Sequence, residues 1–174
     1  MGLLVRKLNL MLKYKIIIWF AGVLLCSCNQ VLVYEQYQPI NNSTWPKDKE
    51  YYFIFNIEDT TRTYDVTLQL RNNNRYSYQN LWVFILEEKP VGAISRDTVE
   101  CFLADDYGKW LGHGISLFES TIPLRNNYKF PYPGQYTFAI RQGMRDSSII
   151  GIQEIGLVIK PITAVDEKHL SEEK

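Results

Sequence analysis

Histidine and cysteine are scarce here: two and three residues respectively in a chain of 174. No zinc spacing can be assembled from so few, because structural and catalytic zinc sites take three or four Cys, His or carboxylate ligands. Nucleophilic catalysis of the Ser-His-Asp kind needs an imidazole held by an orienting acid. Only His113, with Asp105 or Asp106 nearby, offers that combination, and Gly112 and Gly114 on either side of it suit a turn better than a pre-organised base. No glycine-rich phosphate loop with its lysine is present. No spaced acidic loop supplies the six to eight oxygens that calcium takes. The adjacent pairs Glu87-Glu88 and Asp105-Asp106 read as solvated turns, not as two carboxylates facing across a cleft. A basic excess is missing as well: 19 Lys and Arg balance 19 Asp and Glu, which argues against a nucleic-acid partner. No cofactor motif and no internal repeat is visible. The chain therefore reads as non-enzymatic.

One apolar run stands out, Ile16 to Leu25, and it is too short to span a bilayer, which takes roughly 20 residues. It follows the basic residues Arg6, Lys7, Lys13 and Lys15 and is closed by Cys26, Ser27 and Cys28, the layout of an export signal. Leu25-Cys26-Ser27-Cys28 resembles the lipobox of bacterial lipoproteins. That resemblance implies that Cys28 becomes the first residue after cleavage and carries lipid. Two or more acyl chains, each contributing about 0.8 kcal/mol per buried methylene, anchor a protein stably. Cys26 is the competing acceptor, but it would leave Leu25 where a small residue is wanted. Met11 is an alternative start, since Lys13 and Lys15 alone would serve as the basic segment.

The expected organisation is a lipoprotein signal peptide over 1–27 and a lipidated tether with a possible first strand over 28–45. A β-sandwich domain over 46–161 and a charged tail over 162–174 follow. Taking 27 residues from 174 leaves 147, enough for one domain with a real core. The leader holds four basic and no acidic residues, so the body keeps 15 against 19 and a net charge of −4. Only Cys28 and Cys101 remain, and with Cys28 on lipid no internal disulfide can form.

From Glu50 onward the hydrophobic period is two. Tyr51, Phe53, Phe55 and Ile57 share one strand face, and Asp65 to Arg71 alternates without a fault. Leu81 to Leu86 is apolar on both faces, the pattern of a central strand. Val99, Cys101 and Leu103 share a parity, so Cys101 is expected inside as a structural thiol. Ala104 to Gly114 is the longest interruption, a shaped loop. Strand character returns over Ile115–Leu124 and at Tyr136–Ile140, after the turn Pro131-Tyr132-Pro133-Gly134. In the last strand Ile150 and Ile152 set one parity and Ile155, Leu157 and Ile159 the other, which a bulge near Gln153-Glu154 reconciles. About eight short strands and no long helix imply an all-β fold, a single-domain antiparallel β-sandwich. Jelly-roll and immunoglobulin-like topologies both fit.

Seven segments occur in a telling order: Trp45-Pro46, Tyr64 to Leu70, Leu81-Trp82-Val83-Phe84, Gly108-Lys109-Trp110-Leu111-Gly112, Phe130 to Tyr136, Gln142-Gly143-Met144-Arg145 and Gly151 to Leu157. As an ordered set they resemble the gliding-motility lipoprotein family GldH, from about Tyr34 to Pro161. The resemblance implies an outer-membrane lipoprotein of the gliding or cell-envelope apparatus with no known catalytic activity. Its partners would be the membrane, through the lipid, and other envelope or gliding-machinery proteins. Asn29-Gln30-Val31-Leu32 lacks the acidic residues that accompany surface export in lipoproteins, which implies a periplasm-facing domain. The expected partner contact is the Asp105–Gly114 loop, with Trp110 as apolar anchor beside Tyr107 and His113. The rival reading is a carbohydrate-binding lipoprotein using the loop aromatics Tyr76, Tyr78, Tyr107, Trp110 and Tyr132.

Overall fold

A computed structural model describes residues 32–162. The leader over 1–27, Cys28 and the tail beyond residue 162 lie outside the described residues. Among the described residues no helix is long and apolar enough to cross a membrane.

Eleven strands follow one another: β1 (Tyr34–Pro39), β2 (Thr44–Pro46), β3 (Glu50–Ile57), β4 (Tyr64–Asn73), β5 (Asn80–Glu88), β6 (Ile94–Phe102), β7 (His113–Gly114), β8 (Leu117–Tyr128), β9 (Gly134–Gln142), β10 (Ser148–Ile150) and β11 (Ile152–Pro161). One sheet runs β1-β11-β4-β8-β7 and the other β3-β9-β5-β6, while β10 and β2 pair separately. Every pairing is antiparallel. Leaving out the short β2, β7 and β10, the eight long strands fall in the order first-eighth-third-sixth in one sheet and second-seventh-fourth-fifth in the other. This is a jelly roll. An immunoglobulin sandwich joins several sequence neighbours as hairpins, whereas here β5–β6 is the one hairpin between long strands. The first strand belongs to this framework, since β1 pairs along its whole length with β11.

The alternation of residue types becomes the partition between core and surface. Along β3, Tyr51, Phe53, Phe55 and Ile57 are buried while Tyr52, Ile54 and Asn56 are exposed. Phe55 lies at the centre of an aromatic cluster, 5.4 to 5.8 Å from the rings of Tyr34, Phe130, Tyr136 and Phe138. Each such side chain, fully buried, contributes about 1.5–3 kcal/mol through apolar burial. Trp45 plugs one end, fully buried, with Nε1 donating to Lys49 O at 2.9 Å. The parity change of the last strand is a register shift between Ile152 and Glu154 against β4, and it lets Ile152, Ile155, Leu157 and Ile159 all face inward. Gly151, between β10 and β11, has φ +106°, and a Cβ there would fall 2.2 Å from Tyr76 N. No other residue fits that crossing.

Side chains close the open flanks between the sheets. Arg125 of β8 pairs with Asp97 of β6 at 2.8 Å. On the other flank Gln38 Nε2 donates to Tyr52 O at 2.6 Å, and the Tyr34 hydroxyl lies against the Ile54 backbone. Across the outer face of the larger sheet, Arg71 of β4 reaches Glu119 of β8 and Glu154 of β11 and stacks 4.8 Å from the Tyr37 ring of β1. Partly exposed pairs of this kind add little stability. They do tie four strands into one register.

Several groups inside are weak acids held neutral. Burial pushes the Cys101 thiol up to about 12. Burial likewise raises the phenols of Tyr76, Tyr64 and Tyr136, whose O–H groups donate to the carbonyls of Asn80, Asp59 and Tyr132. Unfolded, a thiol ionises near ~8.5 and a phenol near ~10. Because the folded values are raised, these groups contribute stability fully below pH ~8.5 and lose it as pH rises toward ~12. The urea midpoint should therefore stay flat between pH 6 and 8 and fall steadily above about pH 9. A midpoint unchanged up to pH 11 would contradict this assignment.

Candidate functional site

The loop between β6 and β7 is a small hairpin held by its own backbone. Asp105 Oδ1 accepts from Tyr107 N–H at 3.0 Å and from Lys109 N–H at 2.9 Å. Asp105 N–H donates to Lys109 O, Gly108 N–H donates to Asp105 O, and Leu111 N–H returns to Leu103 O, each at 2.9 Å. Ala104 and Trp110 face each other as an antiparallel bridge. An aspartate that accepts from the two following turn residues is the usual reason such a loop has one conformation. Gly114, with φ +144°, completes the return: a Cβ there would lie 1.8 Å from Leu117 O.

This geometry reassigns the roles expected along the loop. Trp110, expected as the apolar anchor toward a partner, is half-buried instead. Its ring packs 5.7 Å from that of Phe118, and its Nε1 donates to Asn74 Oδ1 at 2.8 Å. It is a strut that seats the hairpin on the sandwich. Tyr107 at the turn is 96% exposed, and Leu111, His113 and Ile115 are also exposed. His113 lies in β7 opposite Glu119. Asp105 serves the turn, and no hydrogen bond links it to His113. Among the described residues no group of three His, Cys, Asp or Glu side chains is placed to hold a metal ion.

Other expectations separate in the same way. Cys101 is fully buried, where the raised thiol is inert as a nucleophile. Tyr76, one of the expected loop aromatics, is buried, whereas Tyr78 and Tyr132 are exposed. Glu87 corrects the reading of Glu87-Glu88 as a solvated turn. It occupies an inward position of β5, is buried, and accepts from Ser95 Oγ at 3.0 Å. Its neighbour Glu88 faces out.

A second feature was not legible as a site. On the outer face of the four-stranded sheet, Phe84, Leu86 and Ala139 floor a groove of about 580 Å³ edged by Glu50, Arg96, Thr98 and Arg141. The Arg141 guanidinium sits 5.0 Å over the Phe84 ring. An adjoining hollow of about 490 Å³ is lined by Tyr78, Trp82, Met144 and Asp146 among others, and Trp82 is 38% exposed. The sequence signal was present in Leu81 to Leu86. A strand apolar on both faces is either covered twice or carries a surface that something else covers.

Residues 32–159 match the family described as GldH lipoprotein. The gliding motility lipoprotein GldH homolog of Christiangramia forsetii is 36% identical over 138 residues, covering 78% of this chain and 84% of the relative. The gliding motility lipoprotein GldH of Flavobacterium johnsoniae is 32% identical over 152 residues, covering 83% of this chain and 94% of that relative. Among solved structures, a carbohydrate-binding module specific for non-crystalline cellulose superposes with a TM-score of 0.42 at 7% identity, over 74% of this chain and 73% of its own. An insecticidal delta-endotoxin from Bacillus thuringiensis gives 0.39 at 12% identity, over 72% of this chain and 20% of its own. At these scores neither likeness carries an argument about what the chain does. The family match and the two sequence relatives do: the chain belongs to the GldH lipoprotein family.

Proposed function

We propose that this protein is a lipid-anchored, non-catalytic docking module of the cell envelope, acting through a protein partner seated on the 103–112 hairpin. Cys28 is its point of attachment to the outer membrane, with the sandwich facing the periplasm. The role in gliding or in a related envelope assembly is carried over from the name of the Flavobacterium johnsoniae relative. One observation carries the docking reading: a backbone locked by Asp105, Gly114 and the Trp110 strut holds Tyr107 out, with Leu111, His113 and Ile115 exposed on the same stretch of chain. Apolar groups on a rigid frame lose little conformational freedom on binding, so more of their burial appears as affinity. Tyrosine is also among the residues that dominate interfaces.

The docking role is tested by affinity purification of the tagged full chain from crosslinked envelopes. Tyr107→Ala combined with Leu111→Ala should lower recovery of the co-purifying protein about tenfold or more while leaving the urea midpoint unchanged. Trp110→Ala should lower both recovery and stability, because it removes the strut. Undiminished recovery with the first variant would remove the hairpin from consideration. The anchor has its own test: Cys28→Ala should move the chain from the membrane to the soluble fraction and abolish lipid labelling, whereas Cys26→Ala should do neither.

The groove on the outer sheet face favours a second reading, glycan binding. Trp82 and Phe84 would stack on sugar rings, and Glu50, Arg96 and Arg141 would hydrogen-bond hydroxyl groups. A glycan array probed with the chain should show signal that Trp82→Ala removes. An array without signal sets this reading aside.

A further inference from the structure

The flanks of the two sheets are not equally protected. The β3 flank is covered by the side chains of Gln38 and Tyr34. β8 carries Pro123 on its outer side, and β1 is short and ends in Pro39. β6 is tied on its inner face by the Arg125–Asp97 pair, and of its outward backbone groups Thr98 N–H alone has a side-chain partner among the described residues. The strand runs nine residues, Ile94–Phe102, without proline, lysine or bulge, and pairs in unbroken register with β5 alone. Such a strand is a template for another strand, unless it is blunted.

The direction of its free backbone groups can be read from its neighbours. Leu103 N–H donates to Gln79 O, and the Trp82 carbonyl turns away from β6 to accept from Gly143 N–H. Odd-numbered residues of β6 therefore bond to β5. Ile94, Arg96, Thr98, Glu100 and Phe102 turn their N–H and C=O groups outward. The same five residues place their side chains on the outer face of the sheet. Ile94 and Phe102 are 53% and 60% exposed, and Arg96 has no ion-pair partner among the described residues.

These five residues read apolar, basic, threonine, acidic, apolar, a pattern complementary to itself in reverse. We propose that β6 is a self-association edge that pairs antiparallel with β6 of a second copy about a two-fold axis at Thr98. Ile94 then faces the partner's Phe102, Arg96 faces the partner's Glu100, and the two Thr98 residues face each other. Opposite-charge, apolar and Thr–Thr pairs are the stabilising cross-strand combinations. Sliding by the smallest step that keeps the hydrogen-bond parity sets Ile94 against Glu100, or Arg96 against Phe102. One step further brings Arg96 against Arg96, or Glu100 against Glu100. Only the register centred on Thr98 satisfies all five positions. It exchanges about ten hydrogen bonds and joins the two four-stranded sheets into one of eight, the isologous arrangement of a two-fold dimer. Two internal contacts meet the new ones. Thr98 N–H now donates to Asp97 Oδ1 and is released to the partner strand. Glu100 Oε1 accepts from Asn80 Nδ2 and leaves its second oxygen for Arg96. Phe102, at the end of this edge, borders the hollow lined by Leu111 and His113 of the hairpin, so the two surfaces meet there.

The test uses the full chain, with its leader, in isolated membranes. Across a hydrogen-bonded antiparallel pair the two Cα atoms lie about 5.5 Å apart, within disulfide reach. Thr98→Cys should give a covalent dimer under mild oxidation, while wild type and Asn56→Cys, on the opposite edge of the same sheet, should not. In the Thr98→Cys background, Arg96→Glu or Glu100→Arg alone should lower the dimer yield about fivefold or more, since each creates two like-charge contacts. Combining the two reversals should restore it. All of these positions are on the surface, and protease resistance checks that each variant is folded. Absence of dimer above the Asn56→Cys control overturns the proposal. So does a dimer indifferent to the charge reversals, or one that the combined reversal fails to recover.

Discussion

Packing of two sheets through alternate side chains is the constraint on which the rest of this protein depends. Cys101 is the one cysteine among the described residues, and it is buried and free, so no covalent bridge ties the sheets together there. Cohesion comes from the cluster around Phe55, from the ends plugged by Trp45 and Phe130, and from the aliphatic rows of β4 and β11. Period two leaves no freedom in this arrangement. Once Tyr51, Phe53, Phe55 and Ile57 face inward, Tyr52, Ile54 and Asn56 must face solvent or a partner.

That rule makes the outer residues informative. Outward positions of β5 carry Trp82, Phe84 and Leu86, more apolar surface than solubility requires. Outward positions of β6 carry a charge pattern that fits a reversed copy of itself. The hairpin after β6 uses Asp105 to hold its own backbone and exposes Tyr107 and Leu111. The same sandwich thus carries a loop held by its own backbone, an apolar groove and, in β6, a nine-residue edge strand.

Much of the fold was legible residue by residue. Strand faces, the bulge before Glu154 and the inward Cys101 all follow from parity, which depends only on neighbours in sequence. Topology was not legible. Strands β1 and β11 pair across almost the whole described chain, and no local pattern distinguishes a jelly roll from an immunoglobulin sandwich. The loop was located correctly, but its inner working was not. Whether Trp110 points to solvent or to Phe118 depends on β8, which meets the loop only after folding. Tyr76 and Glu87 were misjudged for the same reason: a turn tyrosine and an acidic pair look exposed until another element covers them.

By itself, then, the sequence determined the class of fold, the core faces of β3, β4, β6, β9 and β11, and the family. Each of these is carried by the order of residue types along the chain, because strand periodicity is local. The tertiary structure alone decided which strands are neighbours, which strands lie at the edges and which loop residues are buried or exposed. Those are properties of residues distant in sequence brought within a few ångströms, and they exist only once the two sheets have closed on each other.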